Sequence, residues 1–474
     1  MSKNLIYDIH DKPKFSNMLI FAFQQLLAIL AATIAVPTII GLPTQIPAAI
    51  FGAGVGTLIY QLFTRFKSPV FLGSSFAFLN SLGVALAYGY CGILLGSIVA
   101  GLVYVVLAVI VRFVGTNWVS KLMPPVIIGP TVALIGLSLA VNAMGDMVKS
   151  NVAQPNAAYN LAAFACGLVT FFTVVICSTQ KRYTMPKLIP FIIGIAAGYV
   201  AAVIFTLIGD IAGLDYLKVI NYAPIVNNFV EADGTFKGIS AIFSLPHFAL
   251  VEAFKEIADG NVMDLGGVAE VVMAFLPVAL VVFAEHIADH KNLSSIIDHD
   301  LIEDPGLDNT LLGDGVGSIA GTMFGVCPNT TYGESVGCVA ITKNASVVTI
   351  TTTAVMCMLL SFISPIMALL QTIPSCVMGG VCLTLYGFIA VSGLKMFKSL
   401  DLNDNKNLFV VSAILIAGIG GLTIKIPYDI AVGGIITKNI QITSIATALI
   451  LGIVTNAVLT KLEKSKLGKE KDKE

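Results

Sequence analysis

Charge is what this chain has least of. Asp, Glu, Lys and Arg make up 12% of its 474 residues, against roughly 25% in an ordinary soluble protein. That deficit makes lipid its expected main solvent. The two signs nearly cancel, for a net charge of −1, which excludes a broadly basic surface for nucleic acid. The chain lacks the Gly-rich loop ending in Gly-Lys-Ser/Thr that cradles nucleotide phosphates, so ATP drive is not indicated. It has no nucleophile motif and no His/Cys cluster spaced for a metal, so an enzyme, a bound metal and a cofactor are not expected. Its eight cysteines include no C-x-x-C pair. Most sit in apolar runs, where a thiol is a small buried hydrophobe. No cleavable signal is evident, because Met1 to Phe15 is polar and the first apolar run is long enough to span.

Apolar runs are abundant instead. The chain is 56% hydrophobic with a mean hydropathy of +0.89. Read against the ~20 residues needed to cross a bilayer, the runs predict an all-α integral membrane protein of about fourteen segments. The first seven are 17–36, 46–63, 69–84 (short), 91–114, 122–143, 158–179 and 187–208. After a polar insertion, 209–266, come 267–288, 309–326, 328–342 (short), 345–371, 374–394, 407–424 and 439–460. With both termini on the cytoplasmic side, only Lys149, Lys218, Lys237, Lys255, Lys425 and Lys438 of the 27 basic residues fall outside. That is the expected positive-inside bias. The insertion then lies outside, with a short amphipathic element expected around Phe248 to Ile257.

An odd number of segments in each half gives two similar halves opposite orientations. The third segment of each is interrupted, at Gly73 to Phe78 and at Asn329 to Glu334. Two broken segments at corresponding positions point to the binding site of an inverted-repeat transporter. Each carries small-polar and aromatic residues in alternation (Ser75, Phe76, Ala77, Phe78; Thr331, Tyr332), which suits a short extended stretch before a half-helix. Two such stretches can pair at mid-membrane.

The residues with chemistry cluster there. Glu334 lies in Pro328–Gly337, a Gly/Thr/Ser-rich interruption between apolar segments. A carboxylate at membrane depth is costly and marks a functional site by default. The half-helix that starts there offers free N–H groups, and Gly333 permits close backbone approach. Phe76 can stack on a flat ring or simply pack in the core. Glu285 follows several apolar turns in the eighth segment and is read as functional. Asp289, at i+4 on the same face, either tunes Glu285 or relays a proton; a solvated helix end is an equal alternative. His286, His290 and Lys291 are read as the cytoplasmic end of that helix. Asp314 is read as a terminal acid. Gln24 and Gln25 can hydrogen-bond toward the site. No Lys or Arg is expected in the core, so the solute is a neutral one that both donates and accepts hydrogen bonds.

Pro328–Gly337 with Thr342-Lys343, Gly73–Phe78, Ala284-Glu285-His286, Asp304-Pro305-Gly306-Leu307 and Met378-Gly379-Gly380 resemble the nucleobase–ascorbate transporter family, its uracil branch in particular. The likeness covers nearly the whole chain. It implies a core domain (17–114 and 267–371) facing a gate domain (122–208 and 374–460), with a cytoplasmic tail at 461–474. Implied too are a place in the cell membrane, a homodimer, and uracil uptake with protons. A xanthine or purine symporter and Na⁺ coupling are the alternatives, ahead of an anion exchanger or a non-transporting sensor. By matching motifs, Glu285 and Glu334 accept from ring N–H groups, and the backbone N–H groups of Phe76 and Gly333 donate to ring carbonyls. Tyr332 is counted with these substrate-binding residues. Glu285 and Asp289 are implied in proton coupling. Gln25, Ser75, Asn329, Thr331 and Ser335 are supporting residues. Asp289 and Gln25 stand where this branch commonly has His, and Ser335 where it has Asn.

Overall fold

The computed structural model describes residues 5–152, 159–182, 184–231, 233–431 and 435–471. The first half comprises α1 (Phe15–Ile39), α2 (Ile46–Phe63), β1 (Leu72–Ser74) leading through a tight turn into α3 (Leu79–Leu86), α4 (Gly89–Val114), α5 (Pro125–Ser138), α6 (Ala140–Met147), α7 (Leu161–Thr179) and α8 (Pro190–Ala212). The second comprises α9 (Leu265–Ile297), α10 (Leu307–Phe324), β2 (Asn329–Thr331) leading into α11 (Gly333–Thr342), α12 (Val347–Leu360), α13 (Ser364–Gln371), α14 (Ser375–Lys395), α15 (Asn405–Ile419), β3 (Ile424–Ala431), β4 (Ile435–Ile442) and α16 (Ser444–Lys471). Among the described residues nine helices are long and apolar enough to cross a membrane. In each half the third unit is a short strand followed by a short helix.

Helix starts follow local chemistry. Asn160 accepts from the Ala163 N–H at the start of α7, and Asp264 from the Gly267 N–H at the start of α9. Both satisfy N–H groups that the first helical turn leaves open. Pro190 opens α8, where its missing N–H costs nothing.

Helices in lipid gain little from hydrophobic association and depend on close packing at small residues. Here α2 and α10 meet along glycines. A Cβ added at Gly56 would meet the Gly317 carbonyl at 2.9 Å, and one at Gly321 would meet the Gly52 carbonyl at 2.9 Å. The helices sort into two packed groups. In one, α2 and α4 flank α10, α9 lies on α4, and α12 lies on α1 and α2; in the other, α14 packs on α5, α6 and α7, α8 on α7, and α15 on α5 and α16. The groups touch where α1 meets α8 and α14, and where α9 meets α5.

Three boundaries differ from the sequence reading. Helix α9 continues to Ile297 instead of stopping near 288, so His286 and His290 are interior positions, both fully buried. The 345–371 run is two helices, turned at Ser361 to Ile363. Between α15 and α16 stands an antiparallel hairpin, β3–β4, so the last long helix begins at Ser444 and not at 439. In the insertion, the element expected around Phe248 to Ile257 is a helix, Ala249–Ala258, packed on α4.

The N-terminal segment is tied down. The Ile6 N–H donates to the Lys343 carbonyl, the Ala345 N–H to Tyr7 and the Val347 N–H to Ile9, at 2.7, 2.9 and 3.0 Å. Ile9 is buried in one apolar cluster with Val336 and Val339 of α11 and with Leu293 and Ile297 of α9.

Candidate substrate site at the crossed half-helices

β1 and β2 pair antiparallel, Leu72 with Thr331, Gly73 with Thr330 and Ser74 with Asn329. The ladder continues as Ser75 N–H to the Pro328 carbonyl and Tyr332 N–H to the Phe71 carbonyl. Each strand thereby satisfies the other's backbone at a depth where lipid offers no partner. The extended part of the first half is Leu72–Ser74. Phe76–Phe78, part of the alternating stretch expected to be extended, forms a helical turn instead.

Beside this ladder lies a cavity of about 340 Å³. Glu285 and Asp289 of α9 line one wall, with Gly333 and Glu334 at the start of α11. Ser75, Phe76 and Tyr332 close the strand side, together with Ser74, Thr330 and Thr331. All three acids are half-buried. Thr331 Oγ1 donates to Asp289 Oδ2 at 2.8 Å, which locks that carboxylate to β2. Among the described residues one oxygen of Glu285 and the Ser75 hydroxyl are buried with no hydrogen-bond partner, while the Ser74 and Thr330 hydroxyls stand beside Cys327 and Tyr104. Unpaired buried polar atoms are costly and uncommon. Clustered on one cavity, they form a set of open positions for a polar ligand. Phe76 packs edge-on against Tyr386 of α14, ring centroids 5.3 Å apart.

Other expected residues act behind the wall. Gln25 Nε2 donates to Ser335 Oγ at 2.5 Å, bracing α1 against α11. Asn329 Nδ2 donates to the Gly52 carbonyl at 3.1 Å, bracing β2 against α2. None of these three lines the cavity. The Tyr332 hydroxyl is directed at the Ser74 carbonyl, 3.2 Å away, so its polar end braces the strands. Gln24 bonds Met185 at an exposed position and takes no part.

Two readings are corrected. Asp314 is buried in mid-helix, not terminal. Its Oδ2 shares a 2.7 Å hydrogen bond with His286 Nδ1, while His286 Nε2 meets Thr310 Oγ1 at 3.1 Å. His290, stacked on His286 at 4.0 Å, bonds the Tyr60 hydroxyl at 2.7 Å. The histidines are thus held by a buried polar network instead of a solvated helix end. The second correction concerns Lys187, a cation that reaches the cavity lining from the short turn before α8. With it come Ser178, Asn292 and Ser392. Asn292 was legible in principle, since Glu285, Asp289 and Asn292 stand at i, i+4 and i+7 on one helix face. Among the described residues no group of three or more His, Cys, Asp or Glu is arranged to hold a metal ion.

Long apolar helices interrupted by two strand-to-helix units around a polar cavity define a membrane permease of inverted-repeat architecture. The fold is similar to that of SLC26A9, with a TM-score of 0.58 and 11% identity over 95% of this chain and 66% of that one. It is also similar to the transmembrane domain of the cyanobacterial bicarbonate transporter BicA, with a TM-score of 0.52 and 14% identity over 95% of this chain and all of that one. At such identities the likeness concerns fold alone.

The family model Xan_ur_permease, described as Permease family, matches residues 16–426. The chain is 36% identical to the uracil permease of Bacillus caldolyticus, over 96% of this chain and 94% of that protein. It is 34% identical to the uracil permease of Bacillus subtilis, over 97% and 96%. With that of Escherichia coli K12 the identity is 31%, over 88% of each. The chain belongs to the nucleobase–ascorbate transporter family of permeases.

Proposed function

We propose that this permease is a secondary active transporter that imports uracil together with protons. The observation that carries the reading is one cavity lined by Glu285 of α9 and by the starts of the two half-helices, at Phe76 and at Gly333-Glu334. Uracil presents two N–H donors and two carbonyl acceptors around one flat ring. The carboxylates accept from the N–H groups, and the backbone N–H groups of Phe76 and Gly333 donate to the carbonyls. The ring lies against Phe76. The relatives named uracil permease support the substrate class.

Coupling follows from burial. Two carboxylates facing one small cavity are costly when both are charged. Glu285 takes up a proton with substrate, and Asp289, one turn on, shares in the relay. The group built on α1–α4 and α9–α13 acts as the core that holds substrate. The group built on α5–α8 and α14–α16 acts as the gate, and relative movement of the two alternates access. Both termini lie in the cytoplasm and the 209–266 insertion outside.

The cavity volume, about 340 Å³, also admits a two-ring purine, which keeps xanthine as the second reading. Uptake of labelled uracil and xanthine into proteoliposomes, with and without an inward pH gradient, decides between them. Uracil accumulation that follows ΔpH supports the proposal. Xanthine uptake in its place, or accumulation that is indifferent to ΔpH and collapses without Na⁺, overturns it.

A further inference from the structure

The cavity has a second polar end. Glu285, Asp289 and Asn292 lie along one face of α9. Seven residues at 1.5 Å rise place Asn292 about 10 Å along the axis from Glu285. Three other elements contribute polar groups to the lining of the same cavity. These are Ser178 from the end of α7, Ser392 from α14, and Lys187 from the turn leading into α8. The Ser178 hydroxyl is buried without a partner. Lys187 and Asn292 are exposed and Ser392 half-buried, and Lys187 has no acidic partner among the described residues. Leu188, Phe191, Ile341 and Phe388 add apolar lining, and Leu188, next to Lys187, packs with Cys338 of α11, one turn beyond Glu334. One end therefore supplies carboxylate acceptors; the other supplies donors and a cation. The volume exceeds what one pyrimidine ring occupies.

We propose that the end of the cavity bearing Lys187 is an anion subsite, with Lys187 as its cation and Asn292, Ser178 and Ser392 as neutral partners. Its ligand class is a uracil-type ring carrying an anionic group on a short chain at ring carbon 5. Substitution there leaves both ring N–H groups free for the inner carboxylates. A two-carbon spacer carries the anion out toward Lys187. This rests on the reading of the inner end as the ring site. It gives the cavity a selectivity that the inner end alone does not supply: acids repel an anion, and Lys187 holds it away from them. A charge-assisted contact of this kind is stronger than a neutral one.

The probes are uracil, 5-(2-carboxyethyl)uracil and its primary amide, titrated calorimetrically into the full-length protein in nanodiscs. In wild type the acid is expected to bind at least about tenfold more tightly than the amide. In Lys187→Gln that preference is expected to vanish while uracil affinity stays within about twofold. Equal binding of acid and amide to wild type, or a preference that survives in Lys187→Gln, overturns the subsite. Failure of uracil to bind, with the acid still bound in a Lys187-dependent way, removes the ring assignment and leaves the anion subsite standing. If neither binds, both fall. Asn292→Ala is expected to weaken the acid and the amide alike, since its amide group recognises neutral acceptors as well; an unchanged affinity for both excludes Asn292 from the subsite.

Discussion

His286 and Asp314 face each other across α9 and α10, 2.7 Å apart from Nδ1 to Oδ2, both sealed from solvent. The pair ties the helix that carries Glu285 to the helix behind it. Removing one partner from a buried pair leaves the other uncompensated. His286→Ala is therefore expected to destabilise the fold by about 3–5 kcal/mol. Replacing both members together with apolar residues of similar size should cost less, since no buried polar group is then left alone. Unfolding of the purified protein in detergent, compared across the two singles and the double, checks this. Additive losses would show that the two side chains do not act as a pair.

Glu334→Gln is expected to abolish high-affinity uracil binding. An amide still accepts, but its NH₂ opposes a ring N–H and leaves two donors face to face, at roughly 1–3 kcal/mol or more. A calorimetric titration that returns wild-type affinity would remove Glu334 from the ring contacts.

Glu285→Gln is expected to uncouple uptake. The substitution removes the carboxyl proposed to take up the proton, so accumulation against a gradient should stop responding to ΔpH, with binding also weakened if the same group meets the ring. The comparison is initial rate and plateau of labelled uracil in proteoliposomes at matched and unmatched pH. A variant that still concentrates uracil with ΔpH would shift the coupling role to Asp289.

The N-terminal segment is expected to contribute to stability through Ile9. Its side chain is buried in the cluster that includes both site-bearing helices, α9 and α11. Ile9→Ala should cost about 2–5 kcal/mol, the range for truncating a packed aliphatic side chain. A melting temperature equal to that of wild type would mean the segment only rests on the surface.

Both termini are expected on the cytoplasmic side. Single cysteines at Asp233 and Ser465, each in a cysteine-free background, should behave oppositely toward an impermeant thiol reagent on intact cells. Labelling at Asp233 alone agrees with the orientation; labelling at Ser465 alone inverts it.

What the sequence made legible was whatever lipid makes expensive. Glu334, Gly333 and Phe76 stood out because a polar, broken segment in an apolar chain is costly unless it lines a cavity or binds a solute, and the structure brings them to one cavity. The end of α9 was not legible. His286, His290 and Lys291 read as a solvated terminus, and only Tyr60, Thr310 and Asp314, distant in sequence, turn the two histidines into an interior. The same holds for Asn329 and Gln25. Their residue types suggest ligand contacts, but their partners are the Gly52 carbonyl and Ser335, which no local pattern predicts. Lys187 was hidden by its setting: it lies in a polar turn whose place beside the cavity follows only from the packing of α8 against α1.

The strand pair has a consequence for biosynthesis. Ser74 and Tyr332 touch although 258 positions separate them in the chain. A contact so distant in sequence forms late, after the loop-closure entropy of the intervening chain has been overcome. During synthesis the first half emerges with β1 unpaired, its backbone groups without a partner until β2 arrives. Domains generally fold as they emerge from the ribosome, but this candidate site cannot. It comes into being only once the second half has been made as far as β2 and α11, and a truncated chain ending before Asn329 would carry every residue of the first strand and no site.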